Sequence, residues 1–121
     1  MGLDMYAYKT KQAIAPVNFE QPDDAAQIFY WRKHPNLHGW MEGLYRERGG
    51  EGADFNCDPL RLDLNDLDAL EKDIERHALP QTSGFFFGES QPEDKLDDLR
   101  FIETARQAIR DGYTVYYSSW W

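Results

Sequence analysis

Five segments of the chain have the alternating or aromatic-rich pattern that is typical of β-strands. They are residues 3–8, 27–32, 59–62, 85–88 and 113–118. The segment 85–88 is apolar on both faces, which predicts a central strand, whereas 59–62 begins with a proline and predicts a short edge strand. Residues 9–26 contain two prolines and several polar residues, and they predict a long loop.

Three other segments have apolar residues at the spacing of an amphipathic helix. The first is predicted to begin at Pro35 and to end at Gly49, with an apolar stripe of Leu37, Trp40, Met41, Leu44 and Tyr45. The second is predicted to follow a capping Asp63, with a core face of Leu64, Leu67, Leu70 and Ile74. The third is predicted to start at Ser90 or Gln91, with a core face of Leu96, Leu99, Ile102, Ala105, Ala108 and Ile109.

The order of these elements is β β α β α β α β. This order predicts an α+β fold in which a mixed, mostly antiparallel sheet of four to five strands has three helices packed on one face. The length of 121 residues fits a single domain over residues 1–121. An aromatic fraction of 15% argues against a disordered chain.

The net charge of −9 is concentrated in one part of the chain. Acidic and basic residues balance over 1–48 and over 101–121, so the whole excess lies in residues 49–100. Such a charge disfavours direct binding to nucleic acid and leaves a basic protein partner open. The acidic residues of the second and third helices are either a solvated surface or an acidic surface that binds a partner.

Composition also bears on the compartment. Cys57 is the single cysteine, which excludes an intrachain disulfide. No apolar run approaches the roughly 18 residues of a membrane helix, and the first residues lack the pattern of a secretory signal. The sequence therefore predicts a cytoplasmic protein with no membrane contact.

The segment 30–38 joins the end of a predicted strand to the start of a predicted helix, and it is the richest in functional groups. A helix N-terminus beside Arg32 and Lys33 can hold a small anion. If the first two strands pair, the polar face of the first strand adjoins this segment. The predicted ligand-binding set is Asp4, Tyr6, Tyr30, Arg32, Lys33, His34 and His38. The alternative is cross-strand pairing on a solvated face, with Asp4 and Arg32 as an ion pair.

His34, His38 and Glu42 are spaced by four residues, as metal ligands on one helix face would be. Pro35 pushes His34 out of helical geometry. We therefore predict no metal site and interpret His38 as a partly buried, hydrogen-bonded histidine. The sequence has no glycine-rich phosphate loop and no GxSxG nucleophile motif, and no cofactor is predicted.

Three motifs occur together in the chain: Met1-Gly2-Leu3-Asp4-Met5-Tyr6, Tyr30-Trp31-Arg32-Lys33 and Thr82-Ser83-Gly84-Phe85-Phe86-Phe87-Gly88. With these motifs the chain resembles, over most of its length, a family of small uncharacterised proteins of bacteria and their phages. The resemblance implies a mobile-element or host–phage context, and it carries over no activity and no catalytic residue. Some relatives bear the label phosphoglycerate kinase, but this chain is too short for that two-domain enzyme.

These observations predict a non-enzymatic binding or accessory protein that acts through the acidic surface or through the segment 30–38. The predicted partner is a protein or a small anionic ligand. The alternative is a small enzyme, or a protein that binds a nucleotide or another anion, centred on Asp4, Arg32, His34 and His38.

The adjacent Trp120 and Trp121 point to opposite sides if the last strand is extended. One of them is then expected in the core and the other on an exposed surface, where it contributes to a homodimer or partner contact. The alternative is that both indoles close the core of the monomer.

Overall fold

The computed structural model describes residues 2–84 and 86–121. In chain order, its elements are β1 (Asp4–Thr10), β2 (Ala26–Arg32), α1 (Pro35–Glu47), β3 (Leu60–Leu62), α2 (Leu64–Glu75), α3 (Asp94–Arg110) and β4 (Thr114–Trp120). The four strands form one sheet in the order β2-β1-β4-β3, and each described strand pair is antiparallel. The predicted α+β class is confirmed.

The two faces of the sheet have different environments because successive side chains of a strand point to opposite sides. One face packs against the three helices, and we call it the helix face; its buried residues are Met5, Ala7, Trp31, Leu60, Leu62, Val115 and Tyr117. The opposite or outer face is formed by Asp4, Tyr6, Tyr8, Tyr30, Arg32, Tyr116 and Trp120. The amphipathic alternation of β1 thus separates a hydrophobic core from a polar and aromatic surface.

Most of the predicted core residues of the first two helices are buried. In α1, Leu37, Met41 and Tyr45 are buried. In α2, the Asp63 carboxylate accepts the backbone N–H of Asp66 at 2.9 Å, and the Asp66 carboxylate accepts that of Asp63 at 2.9 Å. This reciprocal capping box satisfies two backbone donors that the helix itself leaves free.

Most of the predicted core face of α3 is confirmed. Ile102, Ala105 and Ala108 are buried, and Leu99 and Ile109 are partly buried against the core. The prediction is wrong for Leu96, which is 59% exposed, and it missed Phe101 and Asp98, which are buried. Asp98 points inward and accepts the indole N–H of Trp31 at 3.1 Å. In α2, the predicted core residue Leu64 is also exposed, because it stands in the first turn beyond the edge of the core.

No strand occurs at residues 86–88, so the predicted central strand is wrong there; Phe85 lies outside the described residues. Positive φ angles of 70° at Phe86 and at Gly88 are incompatible with an extended strand. Phe87 is nevertheless buried, with its ring 5.0 Å from that of Trp121. Phe87 therefore packs in the core without belonging to a strand. The central strands of the sheet are β1 and β4.

The loop between β1 and β2 covers part of the outer face. Phe19 packs edge-on against Tyr116 with ring centroids 5.5 Å apart, and the carbonyl of Pro16 accepts the Arg61 N–H at 3.0 Å. The hydroxyl of Thr10 donates to Asp24 where the loop leaves and rejoins the sheet. Tyr116 is consequently buried, whereas Tyr30 and Trp120, at the other end of this face, are exposed. Among the helices of the described ranges, none has the length and apolarity needed to cross a membrane.

The two terminal tryptophans lie on opposite sides of the sheet. Trp121 is half-buried, and its indole N–H donates to the Phe55 carbonyl at 3.2 Å. Trp120 is 69% exposed on the outer face, opposite Asp4. The arrangement in which only one indole packs against the core is therefore the observed one. The homodimer contact stays a prediction.

Truncation of the two indoles should have different effects. Trp121→Ala should lower the free energy of unfolding by about 2 kcal/mol, because it removes a half-buried ring and a hydrogen bond. Trp120→Ala should change it by less than about 0.5 kcal/mol. Urea denaturation measures both values. Light scattering on the Trp120 variant tests the dimer, because a mass equal to that of the intact chain would argue against a contact through this indole.

Candidate functional site

Strand pairing brings four of the predicted site residues together on the outer face. β1 pairs with β2 so that Asp4 lies opposite Arg32 and Tyr6 opposite Tyr30. On the other side of β1, Asp4 lies opposite Trp120 of β4. A carboxylate, a guanidinium, two phenols and an indole thus share one patch that the β1–β2 loop leaves uncovered.

A hydrogen-bonded cluster organises this patch. The Tyr30 hydroxyl donates to Asp4 at 2.5 Å, and this bond raises the pKa of Tyr30 above its usual value. The Nε atom of Arg32 lies 3.8 Å from the same carboxylate oxygen, and the rings of Tyr6 and Tyr30 are 5.4 Å apart. The ion pair between Asp4 and Arg32, which the alternative interpretation of this segment expected, is present. The Arg32 side chain is still 52% exposed, so the ion pair leaves its guanidinium accessible to solvent.

A groove of about 380 Å³ borders the cluster, lined by Gly2, Asp4, Tyr6, Trp120 and Trp121. The Arg32 and Lys33 side chains converge at its end, because a Cβ atom at Gly2 would lie 2.8 Å from Nη2 of Arg32 and 3.0 Å from Cε of Lys33. A side chain at position 2 would displace these flexible side-chain ends. We call the set Asp4, Tyr6, Tyr30, Arg32, Lys33 and Trp120 the aromatic–basic corner.

His34 does not belong to the aromatic–basic corner, although it follows Lys33 directly. Its ring is buried on the helix side of the sheet. Nε2 lies 2.8 Å from the Asp98 carboxylate, and Nδ1 lies 2.6 Å from the Ser90 hydroxyl. The backbone N–H of Asn36, in the first turn of α1, donates to the same hydroxyl at 3.0 Å. Burial raises the pKa of Asp98. This cluster lines a separate cleft of about 340 Å³.

The sequence did not connect Ser90 and Asp98 with His34, because they are 56 and 64 positions away from it in the chain. One local signal was present in the sequence. Asp98 stands at the spacing of the apolar stripe formed by Phe101, Ile102 and Ala105, and a carboxylate in such a stripe needs a buried partner. This pattern predicts that Asp98 is buried and has a buried partner, but it does not predict that the partner is His34.

His38 is a buried core histidine, in agreement with its interpretation from the sequence. Its Nδ1 atom lies 2.6 Å from the Tyr117 hydroxyl, and its ring packs against Phe55 and Phe87. Burial lowers the pKa of His38 to about 4. The side chain therefore stays neutral near pH 7 and has no contact with the aromatic–basic corner.

The spacing of His34, His38 and Glu42 does not bring their side chains together. Glu42 instead pairs with Arg46 at 3.1 Å on the surface of α1. Within residues 2–84 and 86–121, no group of three or more histidine, cysteine or carboxylate side chains has an arrangement that could hold a metal ion.

Much of the acidic charge on α2 is already paired inside the molecule. Arg106 contacts Asp68 at 2.6 Å and Glu71 at 3.0 Å. Burial alone would raise the pKa of Asp66, but the hydrogen bonds from Arg48 and from the Asp63 backbone N–H together lower it. Asp73 accepts the Trp40 indole N–H at 2.9 Å. These contacts leave fewer carboxylates free for a partner than the sequence indicates.

Comparisons with known proteins add no family to this description. No family model, no curated protein and no solved structure matches the chain. The resemblance to the bacterial and phage family accordingly stays a prediction from the three sequence motifs.

Proposed function

We propose that this is a binding protein that holds a small ligand, composed of a planar ring and an anionic group, at the aromatic–basic corner. The observation that supports it is the exposure of Tyr30 and Trp120 on β2 and β4, the two strands that flank β1, at the uncovered end of the outer face beside the Asp4–Arg32 pair. Exposed aromatic rings on a rigid sheet are a platform for stacking.

The ring of the ligand is expected against Tyr6 and Trp120, which line the groove. Trp120 has most of its surface in water, so a stacked ring would remove apolar area from solvent on both partners. Two strand spacings separate Trp120 from Arg32, which is about 10 Å. That distance suits a ligand of the size of a mononucleotide.

The anionic group of the ligand is expected at Arg32 and Lys33. Asp4 faces Nε of Arg32, while the terminal nitrogen Nη2 extends to the groove end at Gly2. Lys33 adds a second cation there, so the corner is locally basic in a chain whose net charge is −9. A guanidinium can bind a phosphate or carboxylate through two N–H donors, which gives direction as well as affinity. The same overall charge disfavours a long nucleic acid, whose phosphates would meet the acidic remainder of the surface.

Titration with adenosine monophosphate, phenyl phosphate and inorganic phosphate tests the proposal. We expect the first two to shift the indole N–H resonance of Trp120 in two-dimensional NMR spectra, and inorganic phosphate alone to bind more weakly. Arg32→Gln should weaken binding by about tenfold to a hundredfold, because a charge-assisted hydrogen bond contributes about 1.5–3 kcal/mol.

Arg100→Gln is the matched control for the binding test. Arg100 is 67% exposed and lies 3.9 Å from Asp97, so its environment resembles that of Arg32, but it is on the surface of α3. This variant should bind like the intact chain. The proposal is wrong if no compound perturbs Trp120, or if both arginine variants lose affinity equally.

A further inference from the structure

A continuous hydrogen-bonded chain links a serine, a histidine and an aspartate beside the cleft on the helix side of the sheet. Ser90 Oγ lies 2.6 Å from His34 Nδ1, and His34 Nε2 lies 2.8 Å from Asp98 Oδ2. His34 and Asp98 are almost completely buried, whereas Ser90 is only half-buried and lines the cleft. The least buried member of the chain is thus the one with a nucleophilic oxygen.

The neighbours of this cluster are compatible with one arrangement of protons in which His34 is a base. The Trp31 indole donates to Asp98 Oδ1 at 3.1 Å, and an ionised Asp98 also accepts the Nε2–H of His34 through Oδ2. In that neutral tautomer, His34 has its lone pair on Nδ1. The Asn36 backbone N–H donates to Ser90 Oγ, and the hydroxyl proton of Ser90 is then donated to His34 Nδ1. In this arrangement a base is aimed at the serine hydroxyl.

We propose that Ser90 and His34 form a nucleophilic catalytic site, positioned by Asp98, that hydrolyses a small acyl ester. Either ring nitrogen of a histidine can act as the base, and the partner of the other nitrogen fixes which one does. The same roles, rather than a shared sequence order, define this type of site in unrelated folds.

The reaction has two balanced steps. Ser90 Oγ attacks the acyl carbon while its proton passes to His34 Nδ1; the bond to the leaving alkoxide breaks, and that oxygen receives the proton from His34. In the second step, water attacks the acyl carbon and gives a proton to His34, which returns it to Ser90 Oγ as the acid leaves. The products are one alcohol and one carboxylic acid.

The cleft provides the other elements that such a substrate needs. Ile74, Leu79 and Pro92 form an apolar wall that fits a short acyl chain. The side-chain oxygen of Asn36 accepts the Thr82 N–H at 3.0 Å, so its amide N–H donors are the part left to stabilise the oxyanion. Titratable groups facing the site are Asp94, whose carboxylate lies 3.6 Å from His34 Nδ1, and Lys95 and His77, which line the cleft.

The same contacts have a purely structural explanation, which predicts a different experimental outcome. Ser90 could serve only to satisfy the Asn36 N–H at the start of α1, with the His34–Asp98 pair joining α1 to α3. A structural role makes the variants less stable and gives Ser90 no unusual reactivity. Reactivity of the folded protein therefore separates the two explanations.

Labelling with a fluorophosphonate is the first test, read by intact mass and peptide mapping. We expect Ser90 to be modified in the folded chain and not after unfolding in urea, with the loss of fluoride as its oxygen bonds to phosphorus. Ser90→Ala should abolish the adduct. Ser83→Ala is the matched control, because Ser83 is exposed nearby and outside the cluster, and it should label like the intact chain. Absence of a Ser90 adduct in the folded protein, or an equal adduct after unfolding, would overturn the proposal.

A thiol variant tests the role of His34 independently of protein stability. In a Cys57→Ser background, Ser90→Cys should react with iodoacetamide at pH 6 at least tenfold faster than the exposed Cys57 of the natural chain, because His34 favours the thiolate. Adding His34→Gln should remove that advantage, and adding Asp98→Asn should move the pH profile of the reaction. If the thiol introduced by Ser90→Cys reacts no faster than that of Cys57, the proposal is contradicted.

Discussion

Replacing Phe101 with alanine should lower the free energy of unfolding by about 3–5 kcal/mol. The Phe101 side chain is fully buried on α3, with its ring 4.8 Å from Trp31 and 5.8 Å from Phe29. Both neighbours are on β2, the edge strand of the sheet, which cannot move inward without losing its pairing with β1. The cavity would therefore stay largely open, which places the cost at the upper end for a core truncation. Urea denaturation followed by circular dichroism measures it.

Leu96→Ala is the control for this prediction, because the sequence pattern placed Leu96 in the core and the structure exposes it. The variant should lose less than about 0.5 kcal/mol. A comparable loss in the two variants would contradict the exposure of Leu96 and the burial of Phe101 on α3.

Lowering the pH from 7 to 4 should reduce the stability of the fold by about 3 kcal/mol through His38 alone. Burial lowers the pKa of His38 from 6.5 to about 4, so the unfolded chain binds a proton first as the pH falls. Protons therefore favour the unfolded state between these two pKa values. Above pH 6.5 this contribution is absent, and below about pH 4 it stops growing.

His38→Gln provides the comparison for the pH series. Glutamine can still hydrogen-bond to Tyr117 but does not titrate, so the variant should lose this part of the slope between pH 6.5 and 4. Asp98 acts in the opposite direction, since its raised pKa favours proton uptake by the folded state. The difference between the two proteins removes that shared term. Identical slopes would mean that His38 titrates normally.

Local chemistry made several elements predictable from the sequence. The alternation in β1 correctly placed Asp4 and Tyr6 on one face, and pairing with Arg32 and Tyr30 followed from a second strand of matching pattern. Asp63 was recognised as a helix cap because its side chain acts on a backbone N–H only three residues away. Such features depend on neighbours in the sequence, so they can be derived without knowing the tertiary structure.

Features that depend on distant contacts were not predictable in the same way. The run around Phe86 has the composition of a strand, but left-handed backbone angles and a sheet already filled by β4 override that propensity. At the start of α3, the leucine spacing wrongly placed Leu96 in the core, while Asp98 was treated as solvated although it is buried. Its burial is stabilised by Trp31 and His34, two residues on other elements.

The position of β4 in the sheet has a consequence for folding kinetics. β4 follows the other three strands in the sequence, yet it lies between β1 and β3, and its pairing with β1 joins Asp4 to Trp120. The β1–β2 hairpin can form early because its partners are close in sequence, whereas closing the β1–β4 ladder requires a search over a long intervening segment. Domains with such non-local pairing fold in roughly milliseconds to seconds. During synthesis, the backbone N–H and C=O groups of β1 that pair with β4 therefore stay unpaired until residues 114–120 have left the ribosome, which makes the nascent chain vulnerable to aggregation while the intervening residues are translated.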